Sequence, residues 1–239
     1  MDKTVPAGAA LLLDFIYRTD AGKARPDCYQ VIFGNRQNRL PKPITQMTLG
    51  ELVDAQKNWS SKTWVKANWG YTTASSAAGG AQFMRATLQG LAQELGLRGT
   101  QVFDPDLQDR LGYHLLIRRG YNDFIAGKIN RTEFGKSLAQ EWASFPVLAA
   151  VQGAHRKLKR GETYYAGDEL NKALVKPETV EALLDKVKAA GSTVPPPIIA
   201  PSSDEKAPSS PANAVDQPIS LSFWADLFKA IFSFFGKSK

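Results

Sequence analysis

Apolar residues recur at helical spacing through most of the first 190 positions, and the pattern changes character after that. From Ala9 to Thr19, the positions Leu12, Leu13, Phe15, Ile16 and Tyr17 predict a largely buried helix that stops at Gly22. Cys28 to Phe33 is short, aromatic and β-branched and is followed by Gly34-Asn35, which predicts one strand of a small hairpin. Thr48 with Glu51 forms a capping box for a helix running through Leu52, Val53 and Ala55 toward Trp59. Further helices are predicted over 83–95, closed by Gly96, and over 106–119, opened by Asp104-Pro105 and closed by Gly120. A short helix follows over 122–126, then one opened by Asn130 or Thr132 and running to Trp142, and two more over 171–175 and 177–190. The fold class is therefore α+β, mainly α, with a single small β-hairpin.

The turn at 75–82, Ser75-Ser76-Ala77-Ala78-Gly79-Gly80-Ala81-Gln82, places small residues ahead of an apolar helical run. A backbone-accessible turn of this kind delivers the Gln82 amide, which carries both donor and acceptor and suits a sugar hydroxyl or acetamido group. Asp20 falls in the last turn of the first helix. There the negative end of the helix dipole raises its affinity for a proton, as a general acid requires. Trp59, Trp64, Trp69 and Tyr71 cluster ahead of the turn, where they could stack on sugar faces or pack in the core.

Composition narrows the partners. The 239 residues carry a net charge of +7 with a pI near 9.4, which favours a polyanion such as an acidic wall polymer or an anionic membrane surface. The basic residues are scattered apart from the run 156–160, which reads as a solvated face, so nucleic acid is not expected as a partner. Cys28 is the single cysteine and excludes an internal disulfide; no metal or other cofactor is expected. Residues 1–8 do not resemble a signal peptide, so the expected location is the bacterial cytoplasm, with action on the wall after release.

With Asp20 and the Gln82 turn identified, the chain resembles the lysozyme-like glycan-cleaving superfamily, most closely phage endolysins of the lambda type. Residues 77–87 meet every fixed position of the lytic transglycosylase pattern Ala-x-Gly-x-x-Gln-hydrophobic-Met-x-Ala-Thr. Residues 29–34 are similar to the endolysin Tyr-x-Val-Ile-x-Gly, and 142–146 to Trp-Ala-Ser-Leu-Pro. Two departures stand out: Asp20 occupies the family's glutamate position, and Ala81 replaces a tyrosine. The resemblance implies a lysozyme-like domain over 1–191 that cleaves the β-1,4 bond between N-acetylmuramic acid and N-acetylglucosamine in peptidoglycan. Asp20 would be the single acid/base, and the one motif-backed carboxylate favours a lytic transglycosylase over a hydrolase. The candidate substrate-binding residues are Gln82, Tyr29, Ser75, Ser76, Trp142 and Tyr164. The alternatives are a glycan-binding relative with a weakened site and a membrane-active protein.

After Ser192 the chain turns rich in Pro, Ser and Ala, which predicts a linker over 192–219. Over 220–239, Phe223, Trp224, Leu227, Phe228, Ile231, Phe232 and Phe235 share one face at helical spacing. A helix over 221–235 would be about 22 Å long, short of the roughly 30 Å hydrocarbon core, so it is expected to lie on an anionic membrane rather than cross it.

Overall fold

A computed structural model describes residues 1–168 and 171–191. The predicted linker and amphipathic helix lie outside them. Helix α1 (Ala7–Ile16) is the central element: Ala9, Leu12, Leu13 and Ile16 are buried on it. It continues as a π-turn, Tyr17–Ala21, and ends at Gly22 with φ 68°. The chain then forms α2 (Leu49–Ser60), α3 (Lys62–Trp69), α4 (Arg85–Glu94), α5 (Pro105–Arg118), α6 (Tyr121–Ile125), α7 (Arg131–Glu141), β1 (Val151–Gln152), β2 (Lys157–Leu158) and α8 (Pro177–Ala190). Helix α1 packs against α5 and, most extensively, α8, whose Val180, Leu184 and Val187 are buried.

The helix signals act as expected from their chemistry. Thr48 Oγ1 accepts from Glu51 N at 3.2 Å while Thr48 N donates to the Glu51 carboxylate at 2.7 Å. Asp104 caps α5 through Leu107 N at 2.7 Å with Pro105 at its first position, and Asn130 forms a second capping box with Glu133.

Four expectations are corrected. The segment 28–33 is not a hairpin strand. It consists of tight turns, Asp27–Gln30 and Phe33–Asn35, joined through one isolated bridge from Ile32 to Ala78. Cys28, Tyr29, Val31, Ile32 and Phe33 are all buried, so the run has no polar face, and its hydrogen bonds go to the small-residue turn. Phe33 N donates to Ala77 O, and Gly79 N donates to Val31 O. The hairpin is instead β1 and β2, antiparallel with Val151 opposite Leu158, inside the basic loop. The helix over 83–95 begins only at Arg85, because Phe83 is still bridged to Ala78. Residues 171–175 are not helical: Asn171 N donates to Asp168 Oδ1 and Leu174 N to Ser144 O, leaving Pro177 to start α8. Helix α3, which the pattern had left unassigned, is capped by Ser61 and closed by Gly70.

The aromatic cluster packs on itself. Trp59 and Trp69 stack at 6.3 Å, Trp64 meets Trp69 edge-on at 5.2 Å, and Phe33 contacts both Trp69 and Tyr71. With Trp59 fully buried, it forms one side of the core, the second of the two roles open to it from sequence.

Candidate active site

Asp20 stands in the π-turn that closes α1, a wider turn than the α-helix it continues. Its side chain is buried, and Ser144 Oγ donates to Oδ2 at 2.8 Å. Burial disfavours the charged form and raises the carboxyl to about 7, against the smaller, opposite effect of the Ser144 hydrogen bond. Desolvation is thus the main cause of its proton affinity. Ser144 comes from the segment after α7, where Phe145 packs edge-on against Phe15 of α1 at 5.7 Å and so brings that segment to Asp20.

Asp20 lines a cavity of about 20 Å³ together with Ala81, Gln82, Phe83, Met84, Thr87, Leu115, Glu141, Trp142 and Ala143. Its volume is room for about one water molecule. Asp20, Gln82 and Trp142, three of the residues expected from sequence, meet here. Gln82 has φ 50°, in the left-handed region, and its Nε2 donates to Gly79 O at 2.7 Å and to Val31 O at 3.4 Å. The amide's donor side is therefore spent on holding the turn, and no donor among the described residues reaches Oε1. Trp142 Nε1 donates to Ala81 O at 3.4 Å, tying the same turn to the end of α7.

The other four residues expected at the substrate do not line this cavity. Tyr29 is buried, and its hydroxyl donates to Asp109 Oδ1 at 2.9 Å, beside the hydroxyl of Tyr17 at the same distance. Ser76 Oγ accepts from Arg85 N at 2.9 Å and opens α4, while Ser75 Oγ accepts from Ala77 N at 3.2 Å. Tyr164 packs edge-on against Tyr165 at 5.3 Å.

Two buried glutamines hold the turn from behind. Gln56 Nε2 donates to Ser76 O and Phe83 O, and Gln108 bonds Gly80 N, Tyr29 O and Phe103 O. Each lies on an amphipathic helix where a polar residue would ordinarily face water, so sequence alone offered no signal for them. Glu141 was also missed. It is the last residue of α7, buried, with Arg119 Nε donating to Oε2 at 2.6 Å. Ser144 could have been found, since it stands inside the quoted 142–146 motif. Among the described residues, no three His, Cys, Asp or Glu side chains converge as metal ligands.

Residues 13–167, well over half the chain, match the family model described as Endolysin. Searches of curated proteins and of solved structures find no match.

Proposed function

The chain belongs to the endolysin family of phage cell-wall-degrading enzymes, and from that premise we propose that Asp20 is the proton donor for cleavage of the β-1,4 bond between N-acetylmuramic acid and N-acetylglucosamine. The observation that carries this reading is a buried carboxyl, held near neutrality by desolvation, at the edge of a cavity shared with Gln82 and Trp142. A group of this kind is protonated at working pH and gives up its proton readily, the compromise a general acid needs. Asp20 would protonate the glycosidic oxygen as the bond to C1 breaks, leaving positive charge on the muramic acid ring. Gln82 Oε1 is available to accept from a sugar hydroxyl or acetamido N–H, and Trp142 offers an apolar wall.

Two fates are open to that glycosyl cation. Capture by its own 6-hydroxyl, with Asp20 taking the proton, gives the anhydro end of a transglycosylase, the outcome a lone carboxylate favours. Capture by water gives a muramidase, and the presence of Glu141 on the same cavity favours this second fate.

Asp20→Asn tests the common first step. An amide cannot supply the proton, so release of soluble muropeptides from purified sacculi is expected to fall by on the order of 10²–10⁴-fold. In the parent enzyme the rate is expected to decline as pH rises through about 7, where Asp20 loses its proton. An Asn variant of undiminished activity would end the assignment. Wild-type protein that binds sacculi without releasing muropeptides would identify a glycan-binding relative instead.

For 221–235, outside the described residues, contact with an anionic membrane remains a proposal resting on the apolar periodicity of its sequence.

A further inference from the structure

Glu141 is an unusual residue for its position. It occupies the last turn of α7, where the helix dipole disfavours a carboxylate, and it is buried there, where desolvation disfavours it again. One guanidinium contact, Arg119 Nε to Oε2 at 2.6 Å, offsets both costs, and Arg119 lies just past the end of α5. A buried carboxylate with a single charge partner, lining a cavity, is a candidate functional position. The ion pair uses only Oε2. No donor among the described residues reaches Oε1, and Glu141 lines the cavity that Asp20 also lines.

The cavity itself indicates what Oε1 meets. At about 20 Å³ it has room for roughly one water molecule, so a bound sugar ring would stand at its mouth with the water inside. A buried water needs two to four polar partners, and Asp20, Gln82, Thr87 and Glu141 are the polar residues that line this space. Phe83, Met84, Leu115 and Trp142 close the rest with apolar surface, which restricts where that water can sit.

We propose that Glu141 is a second catalytic carboxylate, which orients a water molecule in this cavity and takes its proton as the water captures the glycosyl cation. The proposal rests on Asp20 acting as the proton donor and deepens that reading by making the enzyme a hydrolase. Asp20 gives its proton to the glycosidic oxygen, the C1–O bond breaks, and its electron pair leaves with the N-acetylglucosamine 4-hydroxyl. The water oxygen then bonds to C1 of N-acetylmuramic acid, and the water's proton passes to Glu141 Oε1. Glu141 releases that proton to solvent and Asp20 takes one up. The net change is one water consumed and one reducing end formed.

Digestion of purified sacculi in ¹⁸O-labelled water, followed by mass spectrometry of the released muropeptides, tests this with full-length protein. The expected wild-type product carries the label at its muramic acid end. Glu141→Gln, which keeps the side chain's size but cannot take the proton, should lower formation of labelled product by on the order of 10²-fold. Any residual product of the variant should shift toward unlabelled anhydro ends, a change that simple loss of packing would not produce. Unlabelled anhydro ends from the wild type would overturn the proposal even if the variant failed to fold, while leaving Asp20 as donor intact. An unchanged labelled yield from a folded Glu141→Gln variant would also overturn it. Failure of the Asp20 reading is distinct: it shows as full activity in Asp20→Asn or as no release by the wild type.

Discussion

Asp20 links catalysis to stability through one proton. Its folded-state value of about 7 lies above the unfolded value of 3.8, so the folded protein binds more protons between those limits. The associated stability is fully present below about pH 3.8 and is lost as pH rises through about 7, a total on the order of 4 kcal/mol. Asn at this position cannot ionise, and its amide oxygen can still accept from Ser144. Asp20→Asn is therefore expected to unfold at higher denaturant than the parent at pH 8, with the difference shrinking toward pH 5. A gap of the same size at both values would show that Asp20 does not titrate in this range. Gln82 separates two contributions of similar size. Its backbone sits at φ 50°, which costs a side-chain-bearing residue roughly 1 kcal/mol, while its Nε2 bonds hold Gly79 O and Val31 O. Gln82→Ala loses the bonds and keeps the strain; Gln82→Gly loses the bonds and relieves it. Thermal melts should place the parent and the Gly variant close together and both above Ala, and an Ala variant as stable as the Gly variant would remove the strain argument.

At the scale of elements, the turn over 75–84 is positioned from three sides: α2 through Gln56, α5 through Gln108, and the end of α7 through Trp142. Its glycines answer to packing as much as to backbone freedom. A Cβ on Gly79 would stand 2.3 Å from Gln108 Oε1 and 3.1 Å from Phe103, at φ 75°. Gly79→Ala should therefore displace the Gln108 amide that also holds Tyr29 O, at a cost on the order of 2–4 kcal/mol. Chemical denaturation measures this, and a loss below about 0.5 kcal/mol would mean that the turn moves freely.

Across the whole molecule, the family match ends at residue 167, yet the core does not. Helix α8 buries Val180, Leu184 and Val187 mainly against α1, and a Cβ on Gly8 of α1 would stand 2.6 Å from Val187 O, so the two helices are in close contact. Burying three such side chains contributes roughly 1.5–3 kcal/mol each, comparable with the whole stability of many domains. A protein ending at 168 should lose its cooperative melt, while one ending at 191 should keep both the melt and its action on purified sacculi. If 1–191 also loses cooperativity, residues beyond 191 belong to the core. If 1–191 is intact but lyses membrane-enclosed cells more weakly, the apolar periodicity of 221–235 is acting on a membrane. No helix among the described residues is long and apolar enough to cross one.

Sequence by itself determined the features that are local in their physics. A capping box needs only residues three apart, so Thr48 with Glu51 and Asn130 with Glu133 were readable, or nearly so, in the chain. Asp104-Pro105 and the stop at Gly22 are equally local, and the 77–87 motif placed Gln82 in a turn before a helix. Tertiary structure decided whatever depended on a distant partner. The run 28–33 has the composition of a strand but finds its hydrogen bonds in the turn near 78, some 45 residues on, and none in an adjacent hairpin mate. Tyr29 carries a hydroxyl that sequence could assign to substrate, yet Asp109, buried 80 residues away, takes it. The second carboxylate was invisible for the same reason. Glu141 lies 121 residues from Asp20, and only the packing of α1, the end of α5 and the end of α7 brings both to one cavity.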